Sequence, residues 1–493
     1  MNSIKIHPLD NVVVALADIE SGDCINADEN KLCASEKISR GHKIALTNIK
    51  ENSPVIKYGN QIGIATCDIS AGSHVHTHNV KTALSEDTKY EYHPVLNSLP
   101  KLDGKSFMGY RRPKGKIGIR NEIWIIPTVG CVNSVVEKLA KDNQDLVGGN
   151  IEGLYAFTHP YGCSQMGEDH ATTKKVLASL VRHPNAGGVL VVSLGCENLT
   201  QAEFKEELRE WNGERVKFLT CQDVEDELSE GRKLLEEIAR AAQESVREEI
   251  DASELIVGLK CGGSDGLSGI TANPVVGRFS DRLISLGGST VLTEVPEMFG
   301  AESILFNRCK DSATFYKAID MVDSFKKYFV GHGQVVYENP SPGNKEGGIT
   351  TLEDKSCGCV QKGGSAQIVD VLGYAEPVKT KGLSILSGPG NDMVSATDLT
   401  AAGAHMILFT TGRGTPFGAP APTVKISTNT ALYEKKAKWI DFNAGTVAEG
   451  KESLDEAGDR LLDYVLKVAS GEFTKQEEDG YREIAIFKDG VTL

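Results

Sequence analysis

Leu255-Ile256-Val257-Gly258-Leu259-Lys260-Cys261-Gly262-Gly263-Ser264-Asp265-Gly266 decides the fold. A continuous apolar run of strand length breaks into a glycine-rich polar loop. Strands that are apolar throughout are buried on both faces, as in a parallel sheet covered by helices. The same grammar recurs. Ile123–Pro127 leads into Thr128-Val129-Gly130-Cys131, and Leu154–Phe157 into Thr158 to Cys163. Gly188–Val192, Val216–Leu219, Thr290–Leu292, Ser384–Leu386 and Met406–Phe409 end in comparable loops. From about residue 106 onward the reading is therefore α/β with mainly parallel sheets, and ligand sites belong beyond the carboxyl ends of the strands.

Outward from this stretch the pattern changes. Residues 1–92 hold short β-like runs (Val12–Leu16, Lys43–Thr47, Gln61–Cys67) between clusters such as Ala27–Asn30, with no helical period. They read as a small β-rich domain. Ser85–Lys105 is polar and carries Pro94 and Pro100, so residues 93–105 read as a linker. Two α/β units follow, 106–250 and 251–493. Residues 224–251 read as a charged helix, and 331–364 as a long ordered loop. No short-period repeat is evident.

The chain has 493 residues, 40% of them hydrophobic, and a net charge of −15. That charge argues against nucleic-acid and acidic-membrane partners but leaves room for a local anion pocket. No stretch approaches a membrane span, and Met1–Ile19 has no signal-peptide pattern. The eleven cysteines fit reduced thiols in a cytoplasmic protein. A homo-oligomer is compatible with all of this.

The densest chemistry lies at Ser73-His74-Val75-His76-Thr77-His78-Asn79. In a strand, His74, His76 and His78 would share one face, and neutral imidazole is a common metal ligand. The plainer reading is a histidine-rich strand edge; three rings on one face favour a metal or acid–base role. Among the strand-end loops, Lys260, Asp265 and His170 are the acid–base candidates. Gly262, Gly263 and Ser264 form a close-approach backbone loop. Arg413, between two glycines, suits a carboxylate. Gly262–Gly266 also matches a Gly-x-Ser-x-Gly elbow, but Gly269 and Pro274 spoil the helix that a Ser264 nucleophile would need. Cys131, Cys163, Cys196 and Cys261 end strands without the close spacing of an iron–sulfur motif. No nucleotide-binding motif is present.

Ile4–His7, His74–Asn79, Pro127–Asn133, Tyr161–Gln165, Leu194–Asn198, Gly258–Pro274, Glu294–Glu302, Tyr337–Lys345, Gly388–Asp392, Gly412–Pro416 and Ala485–Leu493 together carry a resemblance. Over essentially its whole length the chain resembles the galactarate/altronate dehydratase family. The resemblance implies an N-terminal SAF-type domain and a hydro-lyase that converts D-altronate to 2-dehydro-3-deoxy-D-gluconate in hexuronate breakdown. It also implies Fe(II), with Mn(II) as the alternative. The chemistry expected is removal of the C2 proton and loss of the 3-hydroxyl, with His74 and His76 on the metal and His78 as a third ligand or an acid–base group. Galactarate dehydration and a non-catalytic sugar-acid sensor are the competing readings.

Overall fold

A computed structural model describes residues 2–25, 32–84, 90–337 and 339–492. Ala27–Asn30 and residues 85–89, which precede the expected linker, lie outside them.

The N-terminal unit is β-rich. One antiparallel sheet runs Ser3–Ile4, Val12–Ala15, Lys43–Ala45, His74–Val75; a second runs Pro54–Lys57, Asn60–Ala65, Val80–Lys81. It holds a repeat that the sequence reading missed. Ile19, Ile38, Ile49 and Ile69 are all buried and bridge in pairs, Ile19 with Ile38 and Ile49 with Ile69. Three residues after each comes a left-handed residue: Gly22, Gly41, Asn52 and Gly72. The turns close identically, with the amide of Asp23, His42, Ser53 or Ser73 donating to the carbonyl three residues back. A left-handed third position is what a type II turn demands. Four degenerate copies of Ile-x-x-(Gly/Asn) thus build the unit, and the second and fourth deliver His42 and His74.

Residues 90–105 are not a free linker. They lie along the C-terminal unit, where the Val95 amide donates to Asn307 O (2.7 Å) and the Leu102 amide to Ser285 O (2.8 Å). Ser106–Arg111 then pairs antiparallel with Glu248–Asp251. The charged stretch expected as one helix is therefore a helix, Glu227–Gln243, followed by a strand.

The middle unit has a parallel four-stranded sheet, in the order Gly153–Ala156, Glu122–Pro127, Ala186–Ser193, Val216–Thr220. The C-terminal unit has a parallel seven-stranded sheet: Ile368–Leu372, Leu383–Leu386, Ser289–Leu292, Ile256–Cys261, Met406–Thr411, Thr423–Ser427, Phe442–Asn443. The chain enters at Ile256–Cys261, builds to one side, then crosses back to Met406–Thr411 on the other. That reversal is a topological switch point, where open α/β sheets leave a crevice at the strand ends. Residues 331–364, expected as a loop, hold the helices Pro342–Glu346 and Leu352–Cys359. No helix among the described residues is long and apolar enough to cross a membrane.

Candidate functional site

The crevice at the switch point is walled by the loops after Ile256–Cys261 and Met406–Thr411. Backbone bonds tie the two loops together, Gly262 N to Thr410 O and Gly412 N to Gly263 O, each 3.0 Å. Gly412 must be glycine, because a Cβ there would lie 2.3 Å from Asp265 Cγ.

The N-terminal unit closes over this crevice. Gly41 packs on Gly266 so tightly that a Cβ on Gly266 would sit 1.9 Å from Gly41 O. Val14 joins Leu267 and Ile270 in one apolar cluster. Lys43 and Lys57 reach across to Asp354 (2.8 and 3.0 Å), and all three side chains are buried. His42, next to Gly41, is thereby carried to the edge of the loop that ends in Gly266.

The strand expected over residues 73–79 ends at Val75. His76 begins a turn, its amide held by Asn79 Oδ1 (2.9 Å). His78 is consequently exposed, its ring tilted 43° to that of His74 with centroids 5.3 Å apart. The third ring of the group is His42, a residue absent from the sequence-derived candidates. Lys43 pairs with Val75 and Ile44 with His74; extending that register sets His42 opposite His76. His42, His74 and His76 bring ring nitrogens within 4.8 Å of one another. His42 Nδ1 lies 2.9 Å from His74 Nε2, and His42 Nε2 lies 3.1 Å from Glu346 O. His76 Nδ1 lies 3.4 Å from Thr350 Oγ1. Burial lowers the pKa of all three, helped by neighbouring rings and Lys43: His74 to about 4 and His76 to about 3. At neutral pH the rings offer lone pairs, not charge.

Asp265 sits beside this face. Burial raises its pKa, against hydrogen bonds from Thr428 Oγ1, Ser268 Oγ and the Leu267 amide. Arg40, one residue before Gly41, has a buried Nε without a partner among the described residues and lies near enough to Asp265 to oppose that rise. It too escaped the sequence reading. Arg413 bonds Glu346 (3.0 Å) through a half-exposed side chain; such a pair is weak and leaves the guanidinium free to swing. Asn344 Nδ2 donates to Ser264 O (2.7 Å), and no histidine bonds Ser264 among the described residues.

Two acid–base candidates are placed otherwise. Lys260 is fully buried, its ammonium bonded to Glu294 (2.9 Å) and Asp392 (2.7 Å). Burial lowers its pKa, but the two carboxylates outweigh that and raise it. A lysine so held keeps its proton and cannot act as a base. His170 lies on the helix Gly167–Val181 of the middle unit, bonded to Glu203 (3.1 Å) and, among the described residues, to none of the three histidines.

A second convergence lies deeper, where Cys261, Cys359 and Glu297 place their donor atoms within 4.8 Å of one another. Lys355 bonds Glu297 (2.8 Å) and Lys362 bonds Cys261 Sγ (2.9 Å).

Sequence comparison reaches every unit. Residues 1–83 match the Altronate/galactarate dehydratase SAF domain. Residues 109–243 match the second domain of D-galactarate dehydratase/Altronate hydrolase, and 252–492 match D-galactarate/Altronate dehydratase, C-terminal. An altronate dehydratase of Bacillus subtilis (strain 168) is 53% identical, with 99% of each chain covered. One from Escherichia coli (strain K12) is 51% identical over the full length of both. A galactarate dehydratase (L-threo-forming) from the same organism is 34% identical, over 95% of this chain and 92% of its own.

Proposed function

The chain belongs to the D-galactarate/altronate dehydratase family and is a hydro-lyase acting on a sugar acid, and from that premise we propose that it dehydrates D-altronate to 2-dehydro-3-deoxy-D-gluconate with Fe(II), or Mn(II) in its place, in the cytoplasm. The observation that carries the reading is the set of three neutral imidazoles at the edge of the switch-point loops. The altronate reading is favoured over galactarate because full-length relatives named for altronate are 51–53% identical, against 34% for galactarate. All eleven cysteines are free, as a reducing compartment keeps them.

The donor set fits a first-row divalent ion. Two nitrogens each about 2.1 Å from one ion lie about 3.0–3.4 Å apart, close to the 2.9 Å between His42 and His74. Glu346 O fixes the His42 tautomer, since a carbonyl only accepts; Nε2 carries the proton and Nδ1 the lone pair. A divalent cation held by His42, His74 and His76 would supply Lewis-acid stabilisation of the negative charge that develops on the substrate.

The chain's own groups do the rest. Arg40 and Arg413 orient the substrate carboxylate. The Gly262–Gly263 backbone lets the sugar chain approach. Asp265, its basicity raised by burial, takes the C2 proton on a carboxylate oxygen. His78, outside the three-ring group, gives a proton to the departing 3-hydroxyl. The enol then ketonises.

The test is an anaerobic assay with Fe(II), offering altronate and galactarate in parallel and detecting keto acid. Altronate should turn over at least about tenfold faster. Binding of altronate without product would sink the reading, and preference for galactarate would reassign the substrate.

A further inference from the structure

A cleft of about 800 Å³ opens at the amino ends of the middle sheet, against the C-terminal unit, and shares no lining residue with the histidine site. Arg112, Lys116, Arg182 and Arg215 line it, with Lys114, Lys175 and Arg209 further out; the carboxylates among its lining residues are Glu207 and Glu210. Seven cations against two anions is a local excess of five in a chain whose net charge is −15. Glu210 is already paired with Lys114.

Among the described residues Arg112, Lys116, Arg182 and Arg215 form no salt bridge, and Glu207 lies near enough only to Arg182 to oppose its lowering by burial. Arg112 donates to Pro184 O, Arg120 O and Asn121 Oδ1, each 2.9 Å. Arg215 donates to Ala186 O and His183 O, and Arg182 to Glu207 O. Carbonyl oxygens fix these guanidiniums but do not neutralise them. The Lys116 ammonium has no hydrogen-bond partner among the described residues. Burial and then mutual repulsion lower these groups: Arg112 to about 9 beside Arg215, and Lys116 beside Arg182, Arg215 and Lys114. Burial alone lowers Arg215 to about 10. Clustering like charges in a half-enclosed site is costly unless something anionic relieves it. At the rim Trp211 is 40% exposed, propped edge-on against Phe218.

We propose that this cleft binds a small polyanion carrying two or more phosphate or carboxylate groups, met by Lys116, Arg182 and Arg215, with its body against Trp211. Arginine forks suit both anions bidentately. An apolar wall with a few convergent charges is the usual make-up of a small-molecule site. The cleft has none of its lining residues in the loops that wall the crevice, so its occupant is not the sugar acid under turnover.

The test uses the full-length protein with two probes, pyrophosphate and citrate, at matched ionic strength. Trp211 fluorescence is read against Trp211→Phe, which removes the reporter and leaves the signal of buried Trp124 and of half-buried Trp439, which lies beside Gly414. Saturable binding of either probe is expected, and the probe that binds tighter identifies the anion class. Lys116→Glu and Arg182→Glu should each weaken it about tenfold or more; Lys116→Gln, a milder change, should weaken it less. The proposal fails if neither probe saturates. It fails if affinity survives both charge reversals, since the anion then sits elsewhere. It also fails if Trp211 is shielded from iodide and Lys116→Glu lowers the particle mass in light scattering, because a second copy of the chain would then fill the cleft.

Discussion

Among the described residues two places bring three potential ligand atoms within 4.8 Å of one another, and they have opposite characters. At the domain junction, His42, His74 and His76 are half-buried and neutral. The lysine beside them, Lys43, is committed to Asp354 (2.8 Å). In the C-terminal core, Cys261, Cys359 and Glu297 are buried, but Lys362 and Lys355 already stand where a cation would stand. The hydrogen bond between the two thiols, and burial after it, raise the Cys359 pKa well above the usual thiol value. A ligand must shed its proton to bind, and a buried ammonium beside it must be expelled. Converging donor atoms alone therefore do not make a metal centre; the charge around them decides. We expect the histidine group to hold the ion and the thiol group to be a closed ionic core.

The sharpest way to break that contrast is His42→Ala, since His42 enters only through the cross-strand register. Loss of one of three protein ligands should strip the ion and cut kcat/KM by about a hundredfold or more. His78→Ala should leave metal content intact and slow turnover alone. Metal analysis on anaerobically purified variants, beside the altronate assay, separates the two. Equal metal loss in both variants would return His78 to the coordination sphere and remove His42 from it.

Next in size is Lys362→Met. It removes the ammonium that bonds Cys261 and neighbours Glu294 in a fully buried site, with Lys260 still on Glu294 and Lys355 still on Glu297. Breaking such a network should cost about 3–5 kcal/mol, read from chemical denaturation, with the bound-metal count unchanged. A variant that instead kept its stability and took up a second ion would show the thiol group to be a metal site masked by one lysine.

Much of this was legible in the chain. Apolar runs ending in glycine loops gave the parallel sheets, because burial on both faces leaves no alternation to mistake. His74 and His76 declared themselves by spacing. His42 did not, because its role depends on the pairing of Lys43 with Val75, and register is a tertiary property. Nor did the four-turn repeat, since only isoleucine and one left-handed position persist from copy to copy. Lys260 was misjudged for a different reason. A lysine at a strand end beside glycines looks reactive until Glu294 and Asp392 are seen to enclose it from residues far along the chain. Residues 331–364 looked like loop because Pro342, Gly343 and Gly358 lie inside short helices, started by the caps Ser341 and Thr351, with Gly347 and Gly348 between them.

The smallest expected effect separates the two groups by pH. Glu297 is pushed up by burial but held down, to about 2, by Lys355 and Lys362. A carboxylate depressed in the fold stabilises above its unfolded value near 4.5 and loses that stability as pH falls toward 2. The histidines have the other sign of charge and an earlier window. Their folded pKa values lie below the unfolded 6.5, at about 4 for His74 and about 3 for His76. The unfolded chain therefore binds more protons below 6.5, and stability declines as pH falls from 6.5 through 4. The rings are partly solvated, so this slope is shallow. Denaturation midpoints of metal-free protein should fall gently across the upper window and more steeply below 4.5. A His74→Ala/His76→Ala double variant should flatten the upper window and leave the lower one in place. A wild-type midpoint that does not change between pH 6.5 and 4 would mean that the rings are not desolvated in the folded protein, and the contrast between a neutral donor group and a charged core would lose its first half.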